Sequence, residues 1–397
     1  MFTLIQKADV FAPQHIGQRD VLIADEKIAM IAGQIKFPRN WPIEVINAEG
    51  RLLTPGLIDL HVHVIGGGGE GGPATRVPEI KLSDITMAGV TTVLGVLGTD
   101  DITRHPESLL AKTQGFEQEG ITAFCMAGSY RFPLAATVTG SLRKDIALIP
   151  QIIGVGEIAL SDHRSAQPTF EDFAKICAEA RIGGLIGGKA GLVQIHMGSG
   201  ISHFNYLFRL IKETEIPIGQ IMPTHVSRDE ALFKEAIKFC LMDGNVDITA
   251  SGRRLNWRMS GGEALKEMLS AGVSIDRITF SSDSNGSMPL FDEKGQYKGM
   301  AIGEIANLPA ELRRLIIDDG FDAADVLQAF TINPARRLKM DHRKGLIQEG
   351  RDADLVLFKP DWTIDKVFAR GRLMVSDGQA VVWGLLEQAE QPANERR

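Results

Sequence analysis

Apolar runs of strand length recur through the middle of the chain, and most are followed by a segment of helical period. The runs occupy 56–64 (GLIDLHVHV), 89–98, 120–128, 151–160, 191–198, 218–226, 244–251 and 276–284. Between them lie patterns such as HPESLLAKTQGFEQEG, PTFEDFAKICAEARIGG, RDEALFKEAIKFCLMDG and SGGEALKEMLSAG. The first opens on a Pro-Glu pair suited to a helix start, and the last stops at a glycine. Continuous apolar strands belong to sheets covered on both faces, so the alternation predicts parallel βα units. Eight such units over 56–344 predict an α/β fold, specifically a (β/α)8 TIM barrel. A doubly wound open sheet would give a similar alternation.

The ends of the chain follow another rhythm. Residues 1–55 and 345–390 carry short alternating strands broken by Gly, Asp and Lys turns. Neither end can enclose a core alone, so together they are expected to form one small discontinuous β-sandwich domain, with the barrel, 56–344, inserted between them. The polar stretch 391–397 reads as a frayed tail.

Composition narrows the class of partner. A length of 397 residues with 44% hydrophobic residues suffices for a full core, while a net charge of −7 offers no basic excess to gather phosphates. Nucleic acid and an anionic membrane are therefore not expected as partners, and a small molecule is. No run reaches the roughly 18 apolar residues of a membrane span, and the first residues lack a signal-peptide pattern, so cytoplasmic residence is the expectation. Cys125, Cys177 and Cys240 are odd in number and far apart, which suggests small core residues rather than disulfides.

The candidate chemistry lies at the strand ends. His61 and His63 are two apart on one expected strand and so project to one face, at the barrel end where such enzymes keep their sites. His196, His225 and Asp283 close the fifth, sixth and eighth runs, and Glu157 lies in the fourth. Buried together without a partner these groups would be costly, whereas a shared metal centre removes that cost. His15, His105, His163, His203 and His342 fall in loop or helix patterns and are expected at the surface.

With TPGLIDLHVHVIGGGGEGGPATRVPE, LGTDDITRHPESLLAKT, SDHRSA, PTHVSR, SSDSNGS and GRDADLVLF in view, the chain resembles the amidohydrolase superfamily and, within it, the isoaspartyl (β-aspartyl) dipeptidases, over nearly its whole length. The resemblance implies two divalent metal ions, usually zinc, that activate a water for attack on the β-aspartyl isopeptide bond. It implies His61, His63 and Asp283 at the first metal, His196 and His225 at the second, Asp283 as general base and acid, and Tyr130 supporting the carbonyl oxygen. Glu70 would take the substrate ammonium, Arg164 and Arg228 its carboxylates, and Gly68 of the glycine run, Thr99 and Ser287 would add smaller contacts. Large homo-oligomers, an octamer among them, are also implied.

One position departs from the family pattern. The fourth strand usually supplies a lysine whose carbamate bridges the metals, but here the run GVGEIALSDHRS has none. Glu157 is expected to bridge instead, with the strand shifting inward at Gly156; the alternative is a one-metal site. A cyclic-amide hydrolase of dihydroorotase or hydantoinase type would use the same metals without Glu70 and both arginines. A non-catalytic scaffold would have no reason to keep the ligands.

Overall fold

The structure is a computed structural model that describes residues 2–38, 40–250, 259–291 and 297–387. Ser251, the end of the seventh expected run, and residues 388–397, which include the expected tail, lie outside the described residues.

All eight apolar runs contain strands: Leu57–Val62, Val90–Gly95, Thr122–Ala127, Ile152–Leu160, Leu192–Met197, Ile221–Thr224, Val246–Thr249 and Ile278–Ser281. The first six form one parallel sheet in sequence order, and the last two pair with each other. Closure comes from the first strand, where His63 N–H donates to Ser284 O at 2.8 Å and Val62 bridges Ser284 in parallel. The result is the curled parallel sheet of a TIM barrel rather than an open doubly wound sheet.

Each strand is followed by at least one helix, and local sequence sets several of their boundaries. Pro106 occupies the first turn of Pro106–Glu119, and Gly120 ends it in the left-handed conformation. Thr169 with Asp172, and Ser260 with Glu263, form capping boxes for Phe170–Gly187 and Gly261–Ser270. The runs facing these helices bury Val90, Val93, Phe116, Phe173, Ile195 and Phe239 in one large core. A second apolar layer fills the barrel floor with Ile58, Ile153, Leu192 and Met222 from the beginnings of strands, closed by Ile332, Ala335 and Leu338 of the final helical segment. Filling that end leaves the polar strand ends to face the other mouth.

The terminal segments meet in a single sheet. Its path runs Gln379–Ala380, Arg372–Ser376, Ile364–Ala369, Leu355–Phe358, Leu52–Pro55, Phe2–Phe11, His15–Ala24 and Lys27–Ala32, with Ile43–Asn47 beside Phe2–Phe11. Ile28 N–H donates to Arg351 O and Ala353 N–H to Glu26 O, so the last edge returns to the segment just before Leu355. The hydrogen bonding is thus continuous around the expected sandwich, and it encloses Ile5, Val10, Val21, Ile23, Leu53, Leu357 and Phe368.

The three cysteines are free and buried, as their apolar setting suggested. His15, His105, His163 and His342 are exposed, and His203 is half-buried. An antiparallel pair, Ser287–Phe291 with Tyr297–Ile302, follows the eighth barrel strand and was not anticipated.

Candidate metal centre and substrate pocket

His61, Glu157 and His196 lie within barrel strands, whereas His63, His225 and Asp283 follow strand ends. His225 and Asp283 have φ of 63° and 54°, the left-handed region that non-glycine residues enter uncommonly. Those turns bring the side chains back over the mouth. His63 is met by Gly98, whose φ is +76° and where an added Cβ would lie 2.7 Å from His63 Cε1; only glycine fits both demands.

Glu157 is the hub of the cluster. Its Oε1 lies 3.0 Å from His196 Nδ1, 3.3 Å from His61 Nε2 and 3.5 Å from His225 Nε2, and its Oε2 lies 3.7 Å from His63 Nε2. The register between the fourth and fifth strands slips here: Val155 faces Val193, yet Ile158 faces Ile195, so Gly156 and Glu157 together oppose Gln194. Gly156 and Glu157 thus form a β-bulge in the fourth strand. Asp283 closes the other side, with Oδ1 3.4 Å from His63 Nε2 and 3.6 Å from His61 Nε2.

The cluster suits a metal on two counts. Both His61 ring nitrogens, His63 Nδ1 and Glu157 Oε2 are buried and have no hydrogen-bond partner, a costly state for four polar atoms unless a cation meets them. Two sets, His61–Glu157–His225 and His61–His63–Asp283, bring their ligand atoms within 4.8 Å of one another, and imidazole with carboxylate is a donor set for zinc-like ions. His61 belongs to both sets. His196 belongs to neither and joins them through Glu157. Burial by itself would raise the Glu157 carboxyl, but the surrounding imidazoles hold it well below the usual range. His225 moves well below the ordinary histidine range through burial and the Arg228 charge, which keeps it a neutral potential ligand. Thr249 Oγ1 lies 2.7 Å from His225 Nδ1 and orients that ring with Nε2 toward Glu157.

A polar pocket adjoins this cluster. Glu70 accepts hydrogen bonds from Thr99 Oγ1 and Ser287 Oγ, each at 2.9 Å, and faces Arg164 Nη1 at 3.4 Å. Burial would raise the Glu70 carboxyl, but these donors and the Arg164 charge lower it, so it is ionised. Arg164 and Arg228 each reach His196 Nε2 at 3.0 Å. The Tyr130 hydroxyl contacts His196 Nδ1, and the Arg164 guanidinium stands 5.4 Å from the Tyr130 ring centre. Burial and nearby Glu157 push the Tyr130 phenol far up, so it stays a hydrogen-bond donor at neutral pH.

The structure brings the candidate site residues His61, His63, Glu70, Thr99, Tyr130, Glu157, Arg164, His196, His225, Arg228, Asp283 and Ser287 into one neighbourhood. Within the glycine run Gly66 N–H donates to His63 O and Gly67 N–H to Asn285 O, so those two are committed within the protein. Sequence reasoning missed Asp162. Its carboxylate accepts from Arg164 N, Nε and Nη2 at 2.8–3.0 Å and lies 3.1 Å from His196 Nε2. The signal was an acid two residues before a candidate arginine in SDHRS.

Comparison with known proteins decides the family. A family model described as the amidohydrolase family matches residues 52–374. The chain belongs to the amidohydrolase family. This amidohydrolase is 43% identical to a β-aspartyl dipeptidase from Fervidobacterium islandicum AW-1 solved in complex with β-Asp-Leu dipeptide, covering 96% of this chain and 98% of that one with a TM-score of 0.88. It is 26% identical to a dihydroorotase of Clostridium acetobutylicum over 87% of this chain and 86% of the relative. It is also 26% identical to adenine deaminase 2 of Rhizobium etli over 89% of this chain, but that match spans only 52% of the relative's length. Among the described residues no helix is long and apolar enough to cross a membrane.

Proposed function

We propose that this amidohydrolase cleaves the β-aspartyl isopeptide bond of isoaspartyl dipeptides with the help of two divalent metal ions, zinc by preference. The observation that carries the reading is the pocket beside the metal cluster: an ionised Glu70 held by Thr99 and Ser287 and facing Arg164, with Arg228 on the other side of Asp162. An isoaspartyl dipeptide presents one ammonium and two carboxylates around its scissile amide; Glu70 suits the ammonium and the two arginines the carboxylates, with Asp162 holding Arg164 in place. The likeness to the Fervidobacterium dipeptidase over nearly the full length supports the same assignment.

In this reading His61, His63 and Asp283 would hold one ion and His196 and His225 the other, and Glu157, within 3.7 Å of four imidazoles, would serve both. When bound, the ions supply Lewis acidity toward the amide carbonyl and lower the pKa of a nearby water. Asp283 takes a proton from the attacking water and returns it to the leaving amine. Tyr130 donates its O–H to the carbonyl oxygen as negative charge develops there. Glu70 receives the ammonium, Gly68 and the arginines the carboxylates, and Asp162 keeps Arg164 extended toward them. The catalytic unit is 56–344, with 1–55 and 345–390 as the accessory β-domain. We also place the protein in the cytoplasm as a homo-oligomer, a state supported by the exposed apolar Leu148, Leu185 and Ile186 and checked by light scattering.

Hydrolysis of β-Asp-Leu tests the assignment, with dihydroorotate and hydantoin as comparison substrates. Turnover of the dipeptide, abolished by chelation and restored by zinc, is the expected result. Turnover of a cyclic amide alone would replace it. Metal analysis is expected to give two ions per chain; one ion in fully active protein would remove Glu157 from its bridging role.

A further inference from the structure

One buried cation has no part in the chemistry just described. Arg104 is 4% exposed, and its guanidinium donates to Ile65 O through Nε at 3.2 Å, to Gly67 O and Val77 O through Nη2 at 2.8 and 3.0 Å, and to Asp100 Oδ2 through Nη1 at 2.8 Å. Gly68 O lies a further 3.5 Å from Nη1. The carbonyls belong to the two ends of a single loop, 65–77, that carries Glu70. Asp100 belongs to a second loop, next to Thr99, which itself donates to Glu70.

That loop needs an outside anchor. Six of the seven residues from 66 to 72 are glycine, so the segment has almost no side chains to pack and loses much backbone entropy on ordering. In a trans peptide the C=O and the following N–H point in opposite directions. Drawing Gly67 O toward Arg104 therefore turns the Gly68 N–H away from it, while the Gly68–Arg76 bridge pairs the loop's two sides just beyond. Gly68 has φ of +75° and would place a Cβ 2.5 Å from Thr75 O, so the chain adopts this turn only as glycine. A lysine could not replace the fork, because one ammonium cannot face carbonyls of 65, 67 and 77 and a carboxylate in a plane at once.

We propose that Arg104 is a positioning residue for the substrate: it fixes loop 65–77 so that the Glu70 carboxylate and the Gly68 N–H are set to receive the ammonium and a carboxylate of the dipeptide. The inference rests on the isoaspartyl dipeptidase reading. It separates Arg104 from the metal cluster, since none of its contacts is a proposed ligand.

The test uses the zinc-loaded full chain and Arg104→Lys. KM for β-Asp-Leu should rise about tenfold or more while kcat stays within about threefold, as expected when binding geometry rather than the transition state is disturbed. Two zinc ions per chain should be retained. Wild type should prefer β-Asp-Leu over its N-acetyl derivative, which lacks the ammonium, and the variant should lose most of that preference. Hydrogen exchange of 65–77 should be faster in the variant. An unchanged KM with intact discrimination, or unchanged exchange of the loop, overturns the proposal. Should Arg104→Lys fail to fold, Asp100→Ala, which removes one anchor of the fork, is expected to shift KM and loop exchange in the same direction, and no shift in either overturns it. If wild type does not cleave β-Asp-Leu, the dipeptidase reading falls, while loop exchange still decides whether Arg104 sets the loop.

Discussion

The individual side chains divide by what they touch. Asp283 sits within 3.6 Å of two imidazoles and is the acid proposed to move a proton; burial would raise it, but His225 and its other histidine neighbours hold it well below the usual carboxyl range. Asp283→Asn should keep the fold and lower kcat by about 10²–10⁴-fold, the usual contribution of a positioned base, as read by steady-state kinetics beside circular dichroism. Near-normal turnover would deny it that role. Arg228→Met should instead raise KM about tenfold or more, the loss of a charge-assisted contact, and an unchanged KM would remove Arg228 from the pocket. The imidazoles and acids were legible in the sequence because such residues seldom end apolar strands without a purpose. Arg104 and Asp162 were not, because their partners are loop carbonyls and other side chains whose positions depend on the complete fold.

At the scale of elements, the barrel has a weak seam. The sixth and seventh strands share no main-chain ladder among the described residues, and the sheet path breaks there. Side chains span the gap: Asp247 on the seventh strand accepts from Thr224 Oγ1 on the sixth at 2.7 Å, and from Thr279 and Ser281 on the eighth at 2.8 and 2.5 Å. Thr224 precedes His225, and Ser281 is two residues before Asp283, so this one carboxylate ties together the strands that aim two proposed ligands. Asp247→Leu would strand the buried Thr224 and Ser281 hydroxyls, at about 1–3 kcal/mol for each one left unsatisfied, while Thr279 keeps Val246 O as an acceptor. The expected outcome is a clear loss in denaturant stability together with weaker zinc retention against a chelator; wild-type values for both would show that packing alone closes the seam. Periodicity and caps located the strands and the main helices, since those signals are local. The seam, the bulge at Gly156–Glu157 and the hairpin after the eighth strand depend on pairing between distant segments, which no local pattern records.

Across the whole molecule, the barrel and the terminal sheet are joined by a buried ion network. Lys344, which follows the last barrel helix, is almost fully enclosed and contacts Asp354 and, at 3.1 Å, Asp352. Asp352 also meets Lys27 at 2.7 Å and Arg343 at 2.6 Å, and Asp354 O accepts from Gly56 N–H at 2.8 Å where the chain passes from the terminal sheet into the barrel. Burial would raise the Asp352 carboxyl, yet Lys344 and the other cations lower it from 3.8 to about 2. A depressed folded-state value means that this carboxylate adds stability above about pH 4 and that the contribution disappears as pH falls toward about 2. Comparing Asp352→Asn with wild type, both freed of metal so that ligand protonation cancels, should give a midpoint difference by calorimetry that is constant from pH 7 to about 4 and shrinks below it. A difference that persists unchanged to about pH 2 would place the acid sensitivity of the fold elsewhere. Removing one member of a buried pair leaves the other uncompensated, so Lys344→Met should destabilise by about 3–5 kcal/mol at neutral pH, more than any exposed ion pair of the surface could account for.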